Sequence, residues 1–227
     1  MSFFFRLSLP DEVVIEILSN IPLHFLLNTV SFVCKRLHSI IQDNSKLWQH
    51  FEFDNQLSLN ENHLCQILRH AKAFHRFCIP EAVTRLLPPD IDLHLHALCF
   101  SRDLLFLDLT GIELSSLSFL RRLDRLEVLI LDSCANLGDC DLPGVKYCIR
   151  LNHFYIGFTK FSPNAISQNL PSSVHTLECS GVQFTLHQSR SLLGCHPHLL
   201  HVTISGLDPI EYHHLCIEFP RASISRV

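Results

Sequence analysis

From about residue 74 onward, apolar residues recur at places 1, 4, 6 and 9 of a unit. The frame first reads Phe74, Phe77, Ile79, Ala82, then Leu104, Leu107, Leu109, Ile112 and Leu126, Leu129, Leu131, Cys134. It continues as Leu151, Phe154, Ile156, Thr159, as Val174, Leu177, Cys179, Val182, and as Leu199, Val202, Ile204, Leu207. A degenerate seventh unit is Phe219, Ala222, Ile224, Val227. Successive starts lie 30, 22, 25, 23, 25 and 20 residues apart. A single match would mean little in a chain that is 47% hydrophobic, but a series at near-constant spacing marks an internal repeat. Places 4 and 6 predict a short strand with side chains pointing inward, while places 3, 5 and 7 point out. Stretches such as ELSSLSFLRRL and SLLGCHPHL predict short helices that return the chain. One unit cannot bury its apolar face alone, so stacked neighbours must form the core.

The first fifty residues follow a different period. Pro10, Asp11 and Glu12 suit the first turn of a helix, and Val13, Val14, Ile17, Leu18 and Ile21 recur at helical spacing until Pro22. A second helix is expected at about 25–34 and a third at about 35–42, before Leu47 and Trp48. A linker helix after Asn60 would carry Leu64, Ile67, Leu68 and Ala71 on one face. The expected organisation is a helical domain at 3–50, a linker helix at 51–73 and repeats at 74–227.

Composition narrows the function. Charged residues make up 18% of the chain and the net charge is −4, which fits a well-packed core and offers no bulk attraction to nucleic acid. Apolar runs are too short to span a bilayer, and the MSFFFRL start develops no signal-peptide core. Ten cysteines in that setting predict free thiols and a cytoplasmic or nuclear address.

The repeat frame resembles the leucine-rich repeat, LxxLxLxxN/C, with the asparagine place mostly taken by Cys, Ile, Thr, Val or Leu. The N-terminal segment resembles the F-box through Leu9-Pro10, Glu12, Ile17-Leu18, Ile21-Pro22, Leu26-Leu27, Val33-Cys34-Lys35-Arg36 and Leu47-Trp48. Leu37 stands at that family's usual tryptophan, and Phe25 at a usually polar place. Together these resemblances imply an α/β chain: a three-helix F-box, then a short right-handed leucine-rich-repeat solenoid with one parallel strand per repeat. They also imply a non-catalytic subunit that docks the Skp adaptor of a cullin–RING ubiquitin ligase and recruits a protein substrate. The implied adaptor contacts are Leu9, Pro10, Ile17, Leu18, Pro22, Leu26, Val33, Leu37 and Trp48. The alternative is an interaction scaffold whose N-terminal helices only cap the solenoid.

No phosphate-binding, nucleophile-elbow or zinc-protease motif occurs, and none of the ten cysteines is singled out as a nucleophile. The densest histidine clusters are Cys195-His196-Pro197-His198 with His201, His213-His214 with Cys216, and His94, His96 with Cys99. All lack paired CxxC knuckles, so neither metal nor cofactor is expected. Substrate contacts are expected where outward places gather apolar residues with an acidic rim: Phe106, Asp108, Val128, Ile130, Asp132, His153, Tyr155 and Glu178.

Overall fold

Proline sets where the first helices begin. In the computed structural model, α1 spans Asp11–Leu18 after Pro10, α2 spans Leu23–Asn28 after Pro22, and α3 spans Lys35–Asp43. The structure describes residues 9–52, 65, 67–79, 84, 87 and 90–227. Asn60, Leu64 and Ala82 lie outside the described residues, as do residues 3–8 of the expected first domain. Within the expected linker helix, Cys65, Ile67 and Leu68 are helical. The single helix expected at 25–34 is divided. Thr29 leaves the helical region at φ −128°, ψ −60°, and a 3-10 turn at Val30–Phe32 follows. The β-branched Thr29, Val30 and Val33 disfavour a continuous helix.

The helical unit buries Val14 and Leu18 of α1, Leu23 and Leu26 of α2, and Ile40 and Ile41 of α3. The 3-10 turn Ser45–Trp48 closes this core. Trp48 donates its Nε1–H to the Ile41 carbonyl at 2.8 Å, satisfying one of the carbonyls that the end of α3 leaves open. Its ring stacks on His70 at 3.7 Å between centroids and 9° between planes.

Among the described residues, eight strands form one parallel sheet in chain order: β1 (His50–Glu52), β2 (Arg76–Cys78), β3 (Phe106–Asp108), β4 (Val128–Ile130), β5 (His153–Tyr155), β6 (Thr176–Gln183), β7 (His201–Ser205) and β8 (Ser223–Arg226). Register aligns Phe51, Phe77, Leu107, Leu129, Phe154, Leu177, Val202 and Ile224 across all eight. This line is place 4 of the repeat, and every member is buried.

The register amends the expected array at both ends. It starts one unit early, with Trp48 at place 1 and Phe51 at place 4, so the expected boundary at residue 51 falls inside a strand. Phe51 stacks with Phe74 and Phe77, making the junction part of one aromatic core. At the other end Ile224 pairs with Val202, which makes it place 4 rather than place 6. Val227, expected as a buried place 9, is 70% exposed. A two-residue slip preserves which face each side chain takes, so apolar spacing alone did not detect it.

The returns change along the chain. The 3-10 segments His96–Phe100, Ser118–Arg122 and Leu142–Tyr147 serve the early units, after a short α4 at Ile91–Leu95. The later units use α5 (Pro163–Asn169), α6 (Leu186–Cys195) and α7 (Pro209–Glu218). These later helices have side-chain caps: Ser162 accepts from the Ala165 N–H, while Thr185 with Gln188 and Asp208 with Glu211 form capping boxes.

Place 8 is left-handed in five consecutive units: Gly111 (φ 71°), Ser133 (60°), Phe158 (55°), Gly181 (81°) and Gly206 (97°). Glycine adopts this geometry without cost, whereas Ser133 and Phe158 carry strain. At place 9, Cys134 partly substitutes for the consensus asparagine by donating its thiol to the Leu109 carbonyl of the preceding unit at 3.1 Å.

Candidate protein-binding surfaces

Two surfaces collect the expected binding residues. On the helical unit, Leu9, Val13, Ile17, Phe25, Phe32 and Val33 expose apolar side chains, with Phe32 80% and Val33 69% accessible. Pro10 and Pro22 are also exposed. Arg36 holds this region together: its Nε donates to Asp11 at 2.9 Å and its Nη2 to the Leu9 carbonyl at 2.6 Å. Lys46 pairs with Glu16 at 2.7 Å, and this bond, followed by the ammonium charge, holds the Glu16 carboxyl below its ordinary range.

The remaining expected adaptor contacts face elsewhere. Leu18, Leu26 and Trp48 are buried within this chain, and Leu37 is half-buried against the same core. They shape the unit but offer a partner little or no surface. Val13, Phe25 and Phe32 were not among the expected contacts. For Phe25 and Phe32 the signal was an excess of apolar residues over 25–33, more than one helical face can bury, and for Val13 it was the adjacent pair Val13-Val14, of which one helical face buries only Val14.

The second surface is the open face of the sheet. All eight expected substrate contacts lie there, on β3 to β6 or the turns that follow. Register aligns Phe106, Val128 and His153 in one line across β3 to β5, and Asp108, Ile130, Tyr155 and Glu178 in the next. The Arg76 guanidinium lies 3.5 Å from the Phe106 ring centre, extending this surface to β2. The carboxylates also brace the turns. Asp108 accepts from the Thr110 N–H at 3.0 Å and hydroxyl at 2.7 Å, and Asp132 from the Gly157 N–H at 2.6 Å. Glu178 accepts from the Ser180 N–H at 3.2 Å and from its hydroxyl. Burial raises the Asp132 pKa against the pull of the Gly157 N–H, and the charges of Glu178 and Asp108 raise it further. Beside this cluster, Phe158 projects from its strained turn, largely exposed. It escaped the expected set, although the glycines at the equivalent places 111, 181 and 206 marked that turn.

The histidine clusters are dispersed by the fold. His196 bonds the Ser167 carbonyl at 2.8 Å, and His96 packs edge-on to Phe119. Among the described residues, no group of three metal-ligating side chains gathers, and no helix is long and apolar enough to cross a membrane.

A parallel sheet with one strand per period and a 3-10 or α-helical return is a leucine-rich-repeat solenoid. Internalin C2 of Listeria monocytogenes has this fold. It superposes with a TM-score of 0.52 at 14% identity, over 82% of this chain and 84% of its own. Internalin F of the same bacterium gives 0.46 at 12% identity, over 83% and 65%. A leucine-rich-repeat protein of Leptospira interrogans gives 0.41 at 10%, over 81% and 62%. Internalin C2 carries the structural likeness, and at that identity it speaks for fold alone. Residues 7–54 match the F-box-like family model. No curated protein matches the chain. The chain therefore carries an F-box-like segment at residues 7–54, followed by a leucine-rich-repeat fold.

Proposed function

We propose that the protein recruits substrates to a Skp–cullin–F-box ubiquitin ligase in the cytoplasm or nucleus. The F-box docks the Skp adaptor and the repeats hold a protein substrate. The observation that carries this reading is the exposed apolar surface formed by Leu9, Val13, Ile17, Phe25, Phe32 and Val33. Six such side chains on so small a unit are better accounted for by a partner's cover than by solvent. The protein's contribution to ubiquitin transfer is proximity: it raises the local concentration of a substrate amine near the charged conjugating enzyme.

The test is co-purification of the full chain with a Skp adaptor. Wild-type protein should bind, whereas Ile17→Asp with Phe32→Asp should abolish binding and leave the melting temperature unchanged, because both side chains are exposed. Failure of the wild type to bind, or equal binding by the double variant, overturns the proposal. The rival scaffold reading draws support from Trp48 and Phe51, which join the F-box to the first repeat. It differs in requiring no adaptor.

A further inference from the structure

Outside both surfaces, a cleft of about 410 Å³ opens between the linker segment and the first return. Leu68, Ala71, Leu93, Ala97 and Phe100 supply its apolar lining, and Arg69 and Lys72 supply positive charge. Cys65 and His94 also line it, with the Cys65 sulfur 3.5 Å from His94 Nδ1. The other ring nitrogen, Nε2, lies 3.5 Å from an oxygen of Asp90. In the tautomer protonated at Nε2, the Nδ1 lone pair is directed at the thiol. A sulfur against an imidazole base is the contact that converts a thiol into a nucleophile.

Other thiols in the chain face different neighbours. Cys134 and Cys148 donate to backbone carbonyls and burial raises their pKa to about 12, while burial takes Cys179 well above its ordinary value. Cys78 and Cys140 point their sulfurs at the carboxylates of Asp108 and Asp141, which oppose a thiolate.

We propose that Cys65 is a reactive thiol for small α,β-unsaturated carbonyl compounds that carry an apolar group on one side and a carboxylate on the other. The apolar group fits against Leu68, Leu93 and Phe100, and the carboxylate is drawn to Arg69 and Lys72. In the reaction His94 takes the thiol proton and the sulfur electron pair forms a C–S bond at the alkene carbon β to the carbonyl. The alkene π pair moves onto the carbonyl as an enolate, and the proton returns from His94 to the α carbon. The product is a thioether at Cys65, and no oxidant or further reactant is consumed. The site is separate from the proposed adaptor and substrate surfaces, so its test does not depend on them.

The probe is β-benzoylacrylic acid, added to the purified full chain, with adduct formation followed at each cysteine by peptide mass spectrometry. Cys65 should react at least about tenfold faster than the exposed Cys140 and Cys195 of the same molecule, the lower end of what a positioned base contributes. His94→Asn should remove that advantage without changing the rates at Cys140 and Cys195. Arg69→Glu with Lys72→Glu should slow reaction with the acid but not with its neutral amide. Cys134, Cys148 and Cys179 report folding, since they stay unlabelled while the repeats are intact. A Cys65 rate no greater than that of Cys195, or one indifferent to His94→Asn in folded protein, overturns the proposal. Equal sensitivity of acid and amide to the charge reversals overturns the assigned ligand class.

Discussion

Replacing Trp48 with alanine tests whether this residue belongs to the interior or to a docking surface. The side chain is 1% exposed, stacks on His70 and donates to the Ile41 carbonyl. Truncating a buried tryptophan costs about 3–5 kcal/mol. Loss of the ring stack adds about 1 kcal/mol. Leaving the Ile41 carbonyl without its donor adds about 1–3 kcal/mol. These contributions overlap, and a total of about 4–6 kcal/mol is a large share of the roughly 5–15 kcal/mol that holds a domain folded. Urea unfolding followed by far-UV circular dichroism measures it, since Trp48 is the chain's one tryptophan and the variant has no tryptophan fluorescence. Trp48→Phe retains an aromatic ring over His70 and loses the hydrogen bond, so it should cost about 1–2 kcal/mol by comparison. A Trp48→Ala variant that loses less than about 1 kcal/mol, well below the range for a buried ring, would refute the junction described above.

Three other outcomes are expected. Gly181→Ala should destabilise the repeats by about 1–2 kcal/mol, because φ is 81° there and the new Cβ would lie 2.7 Å from the Phe158 ring. Adding Phe158→Gly should recover part of that loss in a double-mutant thermal-melting cycle by clearing the ring. Burial lowers the His70 pKa, outweighing the charge of Asp43, so the unfolded chain binds more protons once pH falls through about 6.5. The melting temperature should therefore drop between neutral pH and the lowered folded value, and His70→Phe should make that drop shallower. Ellman's reagent applied to native protein should leave Cys134, Cys148 and Cys179 unmodified until denaturant is added, because burial opposes their thiolates.

Much of the solenoid was legible because its signal is one-dimensional. Leu104, Leu107, Leu109 and Ile112, and their counterparts in the following four units, sit near the interior wherever an inward strand repeats at a constant period. The outward set from Phe106 to Glu178 followed from the same alternation. At the ends the signal weakened. The unit beginning at Trp48 was read as the close of the F-box, since one residue serves both structures. Ile224 was placed two residues out because a slip of two leaves the strand faces unchanged.

Local apolar periods, prolines and cap residues were enough to determine a helical unit, a strand-bearing repeat and the inward face of each strand. They act over distances of a few residues, where backbone sterics and side-chain spacing dominate. Tertiary structure decided which apolar residues of the F-box are covered. Leu18, Leu26 and Trp48 turn into the protein, whereas Val13, Phe25 and Phe32 remain outside. It also brought Cys65 to His94 across 29 positions and set Asp108, Asp132 and Glu178 within each other's fields. Such pairings depend on how turns stack in three dimensions, a property of the whole assembly that no window along the chain contains.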